Sequence, residues 1–201
     1  MAFKRGLRET KKDRVKQALF EAAMSLFREK GFDAASVDEI AERAGYSRAT
    51  YFNHFGAKRR VLRHYGERLL VRMEQLLAEA EPESHPLERI RQMLLEMAQE
   101  CERQREDLKL VFRYSLSDPD YLSGPTPARL RVFEMLSRLI AEAQDRREVR
   151  LDLTAEELAL HIFSFYQSLV WVIVTGRSAE TTMRSAWRFI LGGVHGGDRL
   201  D

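Results

Sequence analysis

Apolar positions recur at intervals of three and four residues through most of this sequence, the period of helices that bury one face. Val15, Leu19, Ala22, Leu26 and Phe27 predict a first helix over residues 12–30, with Gly31 as its C-cap. Leu62, Tyr65, Leu69, Met73, Leu76 and Ala80 form the stripe of a fourth helix over residues 58–80. All five prolines lie at or beyond Pro82, between periodic segments, where they mark helix ends. They bound a fifth helix over residues 86–103, a sixth over 105–117 and a seventh over 127–147. An eighth follows over 154–175 and a ninth over 179–191, while the glycines of 192–197 predict a frayed tail. Residues 169–174 have the β-branched content of a buried strand. They nevertheless continue the helical series Leu158, Ile162, Phe165, and no alternating partner segment exists, so a buried helix end is expected.

Between the first and fourth helices the pattern predicts two much shorter ones. Ser36 followed by Glu39 is a capping box, and Val37, Ile40, Ala41 and Ala44 give the second helix one apolar face. Gly45 supplies a left-handed turn position, and Ser47 caps a third helix that begins Arg48, Ala49, Thr50. Two capped short helices across a glycine turn read as a helix-turn-helix, whose second helix enters a DNA major groove N-terminus first. Arg48 is then the residue to bond guanine O6 and N7, or else a solvated arginine on a phosphate. Ala49 is small enough for close approach. Thr50 and His54, four apart on one face, can both donate to the backbone. Ser36, Tyr46 and Ser47 lie where they could reach sugar or phosphate, while Asp38 suits the helix dipole but would repel phosphate. Tyr51 and Phe55 are expected in the core. The basic segment 4–12 is either a disordered terminus or an arm that neutralises phosphates.

The segment Thr50-Tyr-Phe-Asn-His-Phe-Gly-Ala-Lys58 resembles the signature that ends the DNA-binding domain of TetR-family (tetracycline-repressor-like) transcription regulators. Gly31-Phe32, Ser36-Val37, Ile40-Ala41, Ala44-Gly45 and Ser47 fall where that family has equivalent residues, so the resemblance spans residues 12–62. It implies phosphate contacts from His54 and from Lys58 at the start of the fourth helix. Phe52 stands where many members carry a tyrosine whose hydroxyl meets a phosphate, and a phenyl ring cannot make that bond. Asp38 stands where some members use a basic reader.

Composition narrows the alternatives. The chain has 201 residues, enough for a substantial core. Division into a DNA-binding domain over residues 1–57 and a second domain over 58–201 gives an all-α fold of three helices plus six. Residues 1–60 hold 14 Lys/Arg against 8 Asp/Glu, a net of +6, and the remainder holds 19 against 23, a net of −4. A basic head on a mildly acidic body suits a phosphate-binding module. No apolar run approaches the ~20 residues of a membrane span and no apolar leader follows the basic N-terminus, so a cytoplasmic location is expected. Cys101 is the only cysteine, which excludes an intrachain disulfide or a multi-cysteine zinc site. Its neighbours Glu100 and Glu102 should raise the thiol pKa. No nucleotide, zinc-protease or serine-hydrolase motif is present, and His54 has no metal partner at helical spacing. No enzyme activity, cofactor or metal is expected.

Helices 8 and 9 carry Phe165, Leu169, Trp171, Met183, Trp187 and Ile190, enough for a hairpin that pairs with a second copy in a four-helix bundle. Met93, Met97, Phe112, Phe133, Phe165 and Tyr166 could line an apolar effector cavity, with Arg113 or His161 holding a polar group. They could equally be plain core. The leading expectation is a ligand-responsive repressor that binds a pseudo-palindromic operator as a homodimer. Its rivals are a DNA-binding regulator or activator without an effector, and an α-helical enzyme or scaffold that does not bind DNA.

Overall fold

The computed structural model describes residues 10–79, 84–115 and 126–194. Among them the secondary structure is entirely helical: α1 (Lys11–Lys30), α2 (Val37–Arg43), α3 (Arg48–Phe55), α4 (Arg60–Glu79), α5 (Pro86–Arg103), α6 (Arg105–Ser115), α7 (Pro127–Asp145), α8 (Ala155–Val174) and α9 (Ala179–Val194). The chain divides into two compact units, Met1–His64 and Tyr65–Asp201. The border therefore falls inside α4, later than the division at 57/58 expected from the motif. Its first residues belong to the smaller unit: Val61 and Leu62 are fully buried, and His64 lies edge-on to Phe20 and Phe55, at centroid distances of 5.4 and 5.7 Å.

The first unit is built on caps. Thr10 and Asp13 form a reciprocal capping box at the start of α1, and Gly31 closes it with φ 85°, a conformation that costs glycine little. Leu19, Ala23, Met24, Leu26 and Phe27 of α1, Ile40 and Ala41 of α2 and Tyr51 and Phe55 of α3 are buried, and α2 packs on both α1 and α3. Tyr51 and Phe55 are core, as expected; the Tyr51 hydroxyl is buried without a partner, and burial pushes its phenol well above the ordinary range.

In the second unit α5 is central. Ile90, Met93, Leu94, Met97, Ala98 and Cys101 form its buried face, and it packs on α7, α8 and α9. Pro86 opens α5, Thr126 caps α7, and a Thr154–Glu157 capping box opens α8. Residues 169–174 are the end of α8, with Leu169, Val170, Ile173 and Val174 buried. By length and composition α8 could cross a membrane, contrary to the sequence expectation; its buried face against α5, α6, α7 and α9 accounts for that apolarity. Contrary to the expected fraying, α9 continues through Gly192 and Gly193. The ends expected for the fourth helix at Ala80 and the sixth at Ser117, and the tail beyond Val194, lie outside the described residues.

Candidate nucleic-acid interface

The helix-turn-helix is α2, a turn through Gly45 (φ 75°) and α3. The turn is closed by Gly45 N–H donating to Glu42 O at 3.0 Å and Tyr46 N–H to Ala41 O at 2.9 Å, the pattern of a glycine-terminated helix. Two ion pairs lock α2 in place, Lys30 with Glu39 and Arg43 with Glu29. The Lys30 ammonium, followed by the Ser36 amide and hydroxyl, pulls the Glu39 carboxyl down to about 2.

Ser36, Tyr46, Ser47, Arg48, Ala49 and Phe52 are all exposed along α2, the turn and α3, with Thr50 and His54 partly so. The hydroxyls differ in what they can still donate. Ser36 Oγ donates to Glu39 Oε2 at 2.8 Å and accepts from Glu39 N–H at 3.2 Å, so its proton is already used. Ser47 and Thr50 share one bond, Oγ to Oγ1 at 2.9 Å. One of their two hydroxyl protons therefore remains for an acceptor at the start of α3.

Arg48, the first residue of α3, extends Nη1 to Asp38 Oδ2 at 2.6 Å, and its guanidinium carbon lies 5.2 Å from the Phe52 ring centroid. Asp38 is thus the ion-pair partner of the candidate reader, a pairing not apparent from the sequence. His54 is held below its ordinary pKa by burial first and then by Lys12 and Lys16 of α1. These two lysines mark a cationic edge beside α3. Lys12 lay in the expected basic segment; Lys16, whose ammonium is 5.7 Å from the Phe55 ring centroid, was missed, although it follows Lys12 by four residues on one helical face. The rest of the arm, residues 4–9, lies outside the described residues.

Lys58, for which the resemblance implies a phosphate contact, is engaged within the chain in this structure. It lies before α4, and its ammonium donates to the carbonyls of Phe32, Asp33 and Ala35 at 2.6, 3.3 and 2.8 Å. It also lies 4.5 Å from the Phe32 ring centroid. An ammonium has three donors, and these bonds occupy all of them, so Lys58 ties the α1–α2 loop to the start of α4.

The candidate effector residues of the second unit differ in burial. Met93, Met97 and Tyr166 are buried, Phe112, Phe133 and Phe165 half-buried, and Arg113 and His161 exposed. Phe112 packs edge-on against Trp171, and Phe165 stacks on Phe189 at 5.2 Å; Trp171 is 51 % and Phe189 70 % exposed. Those two phenylalanines therefore belong to an outward aromatic surface. Tyr166 OH meets Cys101 Sγ at 3.5 Å. Burial chiefly pushes the Cys101 thiol up to about 11, and Glu100 adds to the rise. No group of three or more His, Cys, Asp or Glu that could hold a metal ion occurs among the described residues.

An exposed, capped α3 paired with α2 across a glycine turn, bordered by Lys12, Lys16 and His54, defines a helix-turn-helix DNA-binding protein. Residues 19–65 match the family described as bacterial regulatory proteins, tetR family. It is 27% identical over 170 residues to the HTH-type transcriptional repressor AcnR of Corynebacterium efficiens, covering 82% of this chain and 85% of that protein. Its fold is similar to that of Thermus thermophilus FadR, a TetR-family repressor in complex with lauroyl-CoA. The TM-score is 0.66 at 24% identity, over 92% of this chain and 98% of that one. A similar likeness holds to SmeT in complex with triclosan, with a TM-score of 0.65 at 18% identity, over 92% and 93% of the two chains.

Proposed function

We propose that this regulator is a homodimeric repressor that reads a pseudo-palindromic operator through α3 and releases it when a small apolar or amphipathic effector binds the Tyr65–Asp201 unit. The observation that carries the DNA half is the exposed N-terminus of α3, which offers Arg48 for base edges and the Ser47–Thr50 pair for a phosphate. One such head reads half a site, so a two-fold copy supplies the other half.

The surface proposed for the copy is the outer side of α8 and α9, where Leu160, Trp171 and Phe189 are exposed and Phe165 stacks on Phe189. Clustered aromatic residues of this kind favour association. Ile190, chosen from the sequence for this seam, is only 6% exposed within the single chain and belongs to its core. Trp187 is half-buried.

The effector half rests on the acyl-CoA and triclosan complexes of the similarly folded proteins, with the Met93, Met97 and Tyr166 region as the proposed interior site. Effector and DNA must then weaken each other's binding by the same factor. The test is selection of a duplex from random sequence by the full chain. Affinity for that duplex is then measured against salt, with and without lauroyl-CoA and triclosan as probes. A selected inverted repeat bound by two chains, and released by a probe that also raises Tm, is the expected result. Failure to select any duplex refutes the DNA half; a selected duplex that neither these probes nor a broad metabolite panel displaces favours a regulator without an effector.

A further inference from the structure

We infer that Asp38 and Phe52 are specificity-determining positioning residues, which hold the Arg48 guanidinium for a guanine in the major groove. This rests on the proposal that α3 reads DNA. Three observations support it. Asp38, in the first turn of α2, accepts from Arg48 Nη1 at 2.6 Å across the helix-turn-helix. Phe52, one turn beyond Arg48, lies beneath the guanidinium at 5.2 Å. All three side chains are exposed on the surface offered to DNA.

The chemistry follows from the donor inventory. A guanidinium has five N–H donors in a fixed plane; a carboxylate fixes one edge and an aromatic face fixes the plane. The donors of Nε and Nη2 make no hydrogen bond to any described residue, and two parallel donors match guanine N7 and O6. An arginine already held in place loses less side-chain freedom on binding than a free one. In water an exposed pair of this kind contributes little, but groove docking removes water from it and strengthens the bond. The carboxylate also disfavours a phosphate at this position, so the guanidinium is reserved for a base edge. In this arrangement an acidic residue on a DNA-reading surface lowers general affinity and raises discrimination.

The full chain and the duplex it selects from random sequence serve as the probe, remade with 7-deazaguanine at each guanine of a half-site to remove the N7 acceptor. With the natural chain, one guanine should show a loss of about tenfold or more on this substitution. Asp38→Ala should shrink that loss below about threefold while binding a scrambled duplex as well or better. Asp38→Asn should do the same, and Asp38→Glu should restore part of the guanine dependence. Phe52→Leu should reduce it while leaving the salt slope unchanged. An Asp38→Ala chain that keeps the full 7-deazaguanine loss and gains equally on both duplexes overturns the inference, since the carboxylate then only repels. Insensitivity of the natural chain to every 7-deazaguanine also overturns it. A chain that selects no duplex at all refutes DNA reading itself, a result distinguishable from the other two.

Discussion

Lys58→Met separates the two roles that sequence and structure assign to one residue. The substitution keeps the aliphatic stem but removes an ammonium that donates to the carbonyls of Phe32, Asp33 and Ala35 and lies over the Phe32 ring. A hydrogen bond to a charged group contributes roughly 1.5–3 kcal/mol. The bonds to Phe32 and Ala35 are part-buried, and that to Asp33 is exposed and long at 3.3 Å, so it contributes least. The cation–π contact adds about 0.5–1 kcal/mol, and fixing a lysine side chain costs up to about 2 kcal/mol. The released carbonyls recover part of the loss by binding water.

A net loss of about 2 kcal/mol is expected. For a chain of this size that corresponds to a fall in Tm of about 4–8 °C. Calorimetry of the full chain measures it. The second readout is the salt dependence of binding to the selected duplex, well below Tm. A lost phosphate contact would flatten the log–log slope by about 0.9; a residue occupied by the loop should leave it unchanged. An unchanged Tm with a slope reduced by about one would refute the argument and return Lys58 to the phosphate contact implied by resemblance.

Other substitutions probe the remaining surfaces. Arg48→Ala should cost selected-duplex affinity about tenfold or more while sparing most scrambled-duplex binding; equal losses would make Arg48 a mere charge. His54 has a folded pKa below 6.5, so the unfolded chain takes up its proton first and the folded state is penalised as pH falls below 6.5. Tm between pH 8 and 5 should therefore fall less steeply in His54→Gln. If imidazolium meets phosphate, DNA affinity should rise over the same interval in the natural chain alone. Phe189→Asp should yield monomers by sedimentation with little change in helicity, because the ring is 70% exposed. Ile190→Asp should instead unfold the second unit, since it buries an unpaired charge. With its thiol buried and its pKa pushed up to about 11, Cys101 should resist alkylation at pH 8 until denaturant is added. Rapid native labelling would contradict that burial.

Helix positions were legible in the sequence wherever a local signal sets an end. Ser36 with Glu39, Ser47, Pro86 and Pro127 each act within a few residues of themselves, through a cap or a missing amide donor. The start of the fourth helix and the end of the ninth differ from what the sequence predicts. Motif and helix run together in sequence at Lys58, whereas the chain makes a turn there and α4 starts at Arg60. The glycines of α9 predict a stop, yet the helix continues through them to Val194.

The candidate site was legible only as far as single-helix geometry reaches. Exposure of Tyr46, Arg48 and Phe52 follows from caps and period, and so does burial of Tyr51 and Phe55. What each exposed group touches is set by the angle between helices, on which spacing is silent. Asp38 and Arg48 are ten residues apart on different helices, and Lys58 reaches back 26 residues to Phe32. Neither pairing is visible in the sequence, where Asp38 reads as repelling phosphate and Lys58 takes its expected phosphate contact from the family resemblance. In the second unit the difficulty is that α9 is apolar on two faces. Met183, Ala186 and Ile190 face the core while Phe189 faces out, and a helical period cannot say which face a partner covers. Adjacent Phe165 and Tyr166 diverge in the same way, one onto the exposed Phe189 ring and the other onto buried Cys101. A cavity lined by both would have to join an outer surface with an interior. That division separates the proposed dimer seam from the proposed effector site, so Phe189→Asp and a substitution at Tyr166 should affect different properties.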